Sequence, residues 1–242
     1  MTMKISIVIP TFKEEHAIGA RLKHLKDSLT MQNEIIVSDG RSPDRTAEIA
    51  GQYADQVVIF AGEKHTPARG RNDGAKRATG KYLLFLDADS YLPSPDSVLR
   101  QCVERFEKDP TLLGITLPQR ALPEVETWAD RISFGIVNMI GRCMNNLLHI
   151  GEGAGKFMMV RKSAYDRVGG FREDLATRED GDFFYRLSRI GRTISDPTFF
   201  VYHGARRAHQ LGWARLWWIW TINTLSFFFF NHAFSKEWTP MR

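Results

Sequence analysis

Four short apolar runs alternate with helix-like stretches in the first part of the chain, and this alternation constrains the fold more than any other feature. The runs are KISIVIP (4–10), NEIIVSDG (33–40), QVVIF (56–60) and KYLLFLDAD (81–89). Between them, 14–29 carries apolar residues at helical spacing, and 42–54 opens with Ser42 placed as a cap and Pro43 at the first helical position. Residues 68–80 predict a helix entered through a basic loop. Apolar strands separated by helical crossovers imply a parallel sheet covered on both faces, with ligands bound beyond the carboxyl ends of the strands. Those ends carry Pro10-Thr11, Asp39-Gly40 and Asp87-Ala88-Asp89.

From Ser94 onward the pattern loosens. Helices are expected over 96–109, 127–148 and 178–191, and strands over 112–118 and within 198–207. A strand followed by a short helix and turn is expected over 156–171. No repeat, linker or change of composition divides the chain. With 242 residues, 43% of them hydrophobic, it has core enough for one large α/β domain.

The net charge of +5 (33 basic minus 28 acidic) suits an anionic ligand or an acidic membrane surface and does not choose between them. Cys102 and Cys143 lack redox or metal spacing, so a reduced cytosolic protein is expected. The opening MTMKISIVIP has neither the length nor the cleavage site of a secretory signal. GEGAGK (151–156) fails as a P-loop, because Phe157 stands where a magnesium-binding Ser or Thr is required. No GxGxxG follows the first strand, which argues against a dinucleotide-binding domain. Asp87 and Asp89 concentrate negative charge at a strand end, where they either close a solvated turn or hold a cation.

SIVIPTFKEE, IIVSDGRSPDRT, ARGRNDGAKRATGKYLLFLDAD, VGGFRED and REDGDFFYRL follow one another in this order. Together, from about Ile5 to His203, they resemble the family 2 glycosyltransferases of the GT-A fold. The resemblance implies a single Rossmann-like domain over 1–212, with a mostly parallel central sheet flanked by helices. Residues 1–93 would form its nucleotide-binding half and 94–212 its acceptor-binding half. It further implies transfer from a nucleotide-diphosphate sugar to a glycan or lipid-linked acceptor by inverting, metal-assisted displacement, with no nucleic-acid partner.

By the same resemblance Asp89 holds a divalent Mn2+ or Mg2+, and Asp87 contacts the ribose or the metal shell. His203 completes that shell; on its own residues it reads equally as a buried structural histidine. Asp39 would accept from the nucleobase, or else simply end a strand. Pro10, Thr11 and Glu14 form the first nucleotide loop, although Glu14 also suits the first turn of a helix. Arg71 and Asn72 approach the nucleotide from the basic loop. Asp180 is the general base and Glu179 orients it or the acceptor, unless both merely decorate a helix N-terminus. Arg206 and Arg207 clamp a pyrophosphate or lipid phosphate, since arginine forks match phosphate oxygens.

The QxxRW motif of processive members is missing, and AHQLGW (208–213) is a partial echo, so a single transfer is expected over synthesis of a long polymer. The competing enzyme is a sugar-1-phosphate nucleotidyltransferase, but that would want a glycine- and arginine-rich loop where this chain has PTFKEE. A non-catalytic nucleotide-sugar-binding protein is a third alternative, opposed by the intact Asp87, Asp89 and Asp180.

The segment 213–234, WARLWWIWTINTLSFFFFNHAF, carries no charge from 216 to 235 yet is interrupted by polar residues. That makes it marginal for spanning a bilayer. Tryptophans grouped near Arg206, Arg207 and Arg215 suit a helix lying among lipid headgroups; a buried or oligomer-forming helix is the alternative. Residues 213–242 are accordingly expected to associate with a membrane, with the protein peripheral at its cytoplasmic face.

Overall fold

The computed structural model describes residues 4–62, 66–230, 232 and 234. The chain builds β1 (Ile5–Thr11), α1 (Ile18–Ser28), β2 (Asn33–Asp39), α2 (Thr46–Ala50), β3 (Gln56–Ile59), α3 (Pro67–Arg77) and β4 (Tyr82–Phe85). It continues through α4 (Pro95–Lys108), β5 (Leu112–Thr116), β6 (Gln119–Ala121) and α5 (Trp128–Arg142), which runs into one π-helical turn, Cys143–Leu147. Then come β7 (Met158–Arg161), α6 (Lys162–Val168), α7 (Glu179–Ser188), β8 (Arg192–Ser195), β9 (Val201–His203), α8 (Arg206–Leu211) and α9 (Trp213–Phe230).

The seven-stranded sheet has the order β3-β2-β1-β4-β7-β5-β8, and only β7 runs against its neighbours. Alternation along the strands sends successive side chains to opposite faces. Ile7 and Leu84 join the core under α1 and α4, while Val8 and Phe85 join the core under α3 and α7. Strand order reverses between β1 and β4, and this opens a crevice beyond their carboxyl ends. A second, two-stranded sheet of β6 and β9 stands above that crevice.

The amino ends of the strands are clamped by one buried carboxylate. Glu34 accepts from Lys4 Nζ at 2.8 Å, Ser6 Oγ at 2.5 Å, Thr79 N at 2.7 Å and Thr79 Oγ1 at 2.9 Å. Burial opposes its ionisation, yet these donors outweigh it and pull the carboxyl down to about 2.

Several local expectations change. Helix α1 begins at Ile18, because residues 14–17 form a turn that leaves Glu14 for the crevice. Ser42 caps no helix; its N–H and hydroxyl donate to Asp39, and α2 starts only at Thr46. The basic stretch around Arg71 and Asn72 is no loop but the body of α3, capped by the Thr66 hydroxyl with Pro67 in its first turn. Strand β4 stops at Phe85, so Asp87 and Asp89 sit in the following turn, closed by the Ser90 N–H on the Asp87 carbonyl at 2.9 Å. Strands β6 and β8 lie outside the expected set; their polar sequences QRA and RTIS carry no apolar run.

Candidate active site

Parallel register brings Thr11 beside Asp39 and Val8 beside Phe85, so the chain leaves β1, β2 and β4 at one edge. Helix α3 lies close on β1: a Cβ at Gly74 would stand 2.4 Å from Val8 Cγ1. This approach carries the buried Arg71 to the floor of a cavity of about 980 Å³ beyond the strand ends. Pro10, Thr11, Glu14, Arg71, Asp87, Asp89, Glu179, Asp180, His203, Arg206 and Arg207 all line it. Asp39 and Asn72 do not.

Asp39 is spent at the end of β2, accepting from Thr11 Oγ1 at 3.1 Å and from Ser42 N and Oγ at 2.8 and 2.6 Å. Asn72 is a structural fastener. Its amide nitrogen donates to Phe171 O and Glu173, both at 2.9 Å, and its oxygen accepts from Tyr165 Oη and Phe171 N. Helical geometry explains the split, since neighbouring residues on α3 point to different sides. Arg71 faces the cavity while Asn72 turns to the segment after α6.

The acids of the cavity are threaded by cations. Arg71 Nη1 donates to Glu179 Oε1 at 2.7 Å and its Nη2 to Asp87 Oδ1 at 3.0 Å. Lys156 Nζ sits between the two aspartates of the turn, 2.7 Å from Asp89 Oδ1 and 3.2 Å from Asp87 Oδ2. Arg206 forks onto Glu14 at 2.9 and 3.2 Å and reaches Asp89 Oδ2 at 3.1 Å. Burial works against the charge on Asp89, but Lys156 and Arg206 hold its carboxyl well below the usual range.

On the opposite wall, α7 begins with Glu179 and Asp180. Asp180 accepts from Gly155 N at 2.9 Å and from Gly181 N at 2.8 Å. The glycines of 151–155 allow this contact: a Cβ at Gly155 would stand 2.6 Å from Arg71 Nη2. Burial first, and then the neighbouring Asp180 charge, push the Glu179 carboxyl up to about 7 against the pull of Arg71. Arg178 pairs with Glu152 at 3.1 and 3.3 Å and donates to Thr224 of α9 at 3.1 Å.

Lys13, Arg178 and Ala205 adopt left-handed φ values of 56°, 65° and 49°, and each immediately precedes a cavity residue: Glu14, Glu179 and Arg206. Strain of this kind costs about 1–3 kcal/mol per residue and gathers at functional sites.

His203 accepts from the Ala205 N–H through Nδ1 at 3.1 Å. Its Nε2 is buried with no hydrogen-bond partner among the described residues. Burial and then Lys156 push the imidazole down to about 3, so it is neutral. With Nδ1 accepting, the ring proton sits on Nε2, which would ligate a cation only after the proton moves to Nδ1 and the Ala205 contact is given up. Two carboxylates and this orphaned nitrogen fit a divalent cation in kind. Among the described residues no three such groups stand ready-made around one point, because Lys156, Arg71 and Arg206 already engage the carboxylates.

Sequence reasoning missed Lys156, Glu152 and Arg178. The signal for Lys156 is its position directly after Gly155 and before an apolar strand, in a stretch that fails as a P-loop and that the family resemblance makes a glycine-rich acceptor-side loop.

Comparison with known proteins agrees with this architecture. The family model for glycosyl transferase family 2 matches residues 6–169. The succinoglycan biosynthesis protein ExoA of Rhizobium meliloti is 29% identical over 224 residues, which cover 86% of this chain and 65% of that protein. The poly(ribitol-phosphate) beta-glucosyltransferase of Bacillus spizizenii is also 29% identical, over 80% of this chain and 34% of its own length. Among solved structures, a Pyrobaculum calidifontis mannosyltransferase in complex with GDP-Man and Mn2+ superposes with a TM-score of 0.72 at 18% identity, covering 93% of this chain and 62% of that one. The chain thus spans less than two thirds of these relatives, and the structural likeness establishes the GT-A fold.

Proposed function

Because the chain belongs to glycosyl transferase family 2, we propose that it is an inverting, metal-assisted glycosyltransferase that moves a sugar from a nucleoside diphosphate to an acceptor. The observation that carries this is the pairing, across one cavity, of the Asp87–Asp89 turn with Asp180 at the start of α7. A divalent ion on Asp87, Asp89 and His203 would neutralise the charge that grows on the departing diphosphate. Arg206 and Arg207 line the same cavity, Arg206 against Asp89 and Arg207 near Glu179, and suit phosphate oxygens. Asp180 faces the acceptor side, held by two backbone N–H groups that orient its carboxylate. It would take the proton of the acceptor hydroxyl as that oxygen bonds to the anomeric carbon and the bond to the phosphate oxygen breaks.

The outer surface supports a lipid-facing acceptor side. Helix α5 buries Asp130, Ser133 and Phe134 and turns Trp128, Ile132, Ile136, Met139 and Ile140 outward, with Trp128 76% exposed. Helix α9 runs beside it: Trp213 Nε1 donates to Asp130 at 2.8 Å and Trp217 Nε1 to Ser133 at 3.3 Å, while Trp218 and Leu225 face out. These two tryptophans therefore anchor α9 to the domain. Both helices line the cavity, exposed Arg215 lies among its lining residues, and exposed Arg142 ends α5. An apolar stripe with basic flanks suits the headgroup region of an anionic bilayer. Among the described residues no helix is long and apolar enough to cross a membrane. Residues 235–242, the end of the segment expected to bind membrane, lie outside the described residues.

The test is a screen of nucleotide sugars for hydrolysis or transfer with and without Mn2+ or Mg2+. A single donor class should turn over only with metal, and Asp89→Asn should lower the rate at least ~100-fold, the scale of one strong electrostatic contact in a transition state. Metal-independent turnover, or an Asp89→Asn variant with a near-native rate, would overturn the reading.

A further inference from the structure

The seat between Asp87 and Asp89 is taken by a side chain. Each carboxylate gives one oxygen to Lys156 and the other to an arginine: Arg71 for Asp87, Arg206 for Asp89. The arginines are tied beyond the pair as well, to Glu179 and to Glu14. Among the described residues Lys156 meets no acid other than these two within ion-pair distance. Its ammonium rides a flexible four-carbon stem rooted directly after Gly155, at the end of a glycine-rich segment, and it lines the open cavity. One positive charge faces two negative ones there, whereas a divalent ion would match them. Such an ion cannot approach both inner oxygens while the ammonium holds them at 2.7 and 3.2 Å.

We propose that Lys156 is a built-in counter-cation that holds the Asp87–Asp89 pair in the donor-free protein, competes with the divalent metal for that seat, and turns onto the diphosphate once the metal is in place. This rests on the glycosyltransferase reading above. It would make the site one of exchange: the ammonium leaves the two inner oxygens as they take a divalent ion, and its charge is then free to meet the phosphate oxygens of the donor. Removing Lys156 should then have two opposite effects, tighter metal binding without nucleotide and weaker nucleotide binding with metal.

The experiment is titration calorimetry of Mn2+ into the full chain without nucleotide, then of UDP and GDP at saturating Mn2+, for the native protein, Lys156→Met and Lys156→Arg. Lys156→Met should bind Mn2+ at least ~10-fold more tightly than native protein, and its preferred nucleotide ~10-fold more weakly, the scale of one partly buried charge pair. Lys156→Arg should stay near native for Mn2+, because the competing charge is kept. Melting temperature supplies an independent readout. Lys156→Met should melt lower without metal and regain more on adding Mn2+ than the native protein does, even if its nucleotide binding is lost. Unchanged or weaker Mn2+ binding by Lys156→Met, with native protein binding Mn2+ and nucleotide normally, overturns the role of Lys156 alone. Failure of the native protein to bind Mn2+ even beside nucleotide overturns the metal-dependent reading and this inference with it.

Discussion

The two halves of this domain place their apolar groups in opposite ways. In the first half, Glu34, Asp39 and Asn72 each satisfy three or four hydrogen bonds, and α1 buries Ile18, Leu22 and Leu25 against the sheet. In the second half, α5 turns large apolar side chains outward, a π-helical turn interrupts its end, and glycines press a loop against the start of α7. The difference teaches that the regular sheet of the first half is finished by the fold itself, while the second half presents apolar area that the described residues leave uncovered. Loops and exposed helices can vary without disturbing the sheet that carries them.

The comparison breaks most directly at Asp180. If the halves are functionally separate, Asp180→Asn should lower transfer by at least ~1,000-fold while leaving nucleotide affinity within about twofold, since proton removal matters only as the acceptor attacks. Calorimetry with the donor nucleotide beside a transfer assay decides it. A variant that transfers normally would move the base elsewhere, with Glu179 and its raised carboxyl first in line.

A middle-sized effect should appear far from the cavity. Glu34→Gln should cost about 2 kcal/mol of stability at neutral pH, because it removes a buried charge from four donors. The folded carboxyl lies near 2, below its ordinary value of 4.5, so its contribution is fully present above about pH 4.5 and is lost as pH falls through about 2. Urea midpoints at pH 7 and pH 3 should therefore differ less between variant and native protein at the lower pH. An equal gap at both would mean that the clamp does not act through the ionised carboxylate.

The smallest effect belongs to the exposed stripe. Trp128, Ile132 and Met139 make up its outward face, so replacing each with Glu should leave melting within about 0.5 kcal/mol of native. The same triple change should reduce flotation with anionic vesicles several-fold, by lost apolar burial and added repulsion. Unaltered flotation would sharpen the comparison differently, leaving α5 as a protein-binding face.

Legibility in the sequence followed the same division. The strands β1, β2, β3 and β4 are plain because each is a compact apolar run, and Asp87, Asp89, Glu179 and Asp180, which the fold brings to one cavity, stand out because they follow a strand or open a helix. Asn72 is drawn into the expected site by its neighbour Arg71, but adjacent residues on a helix point apart, and only the packing shows which one faces the cavity. The short strands β6 and β8 escaped because their stability comes from partners distant in sequence. Lys156 carries a local signal in the glycines before it, but its role depends on two aspartates 67 and 69 positions earlier (156 − 89 and 156 − 87).

The left-handed backbone at Arg178 has a consequence for anyone selecting sturdier versions of this protein. Glycine would occupy its φ of 65° without strain, yet a screen on heat resistance would still disfavour Arg178→Gly, because the partly buried Glu152 carboxylate would lose its cation. The same exchange would release Glu152 and Thr224, and with them the strut between α9 and the first turn of α7, where Asp180 is aimed. Durability and turnover would therefore both keep arginine at a position where backbone geometry alone would discard it.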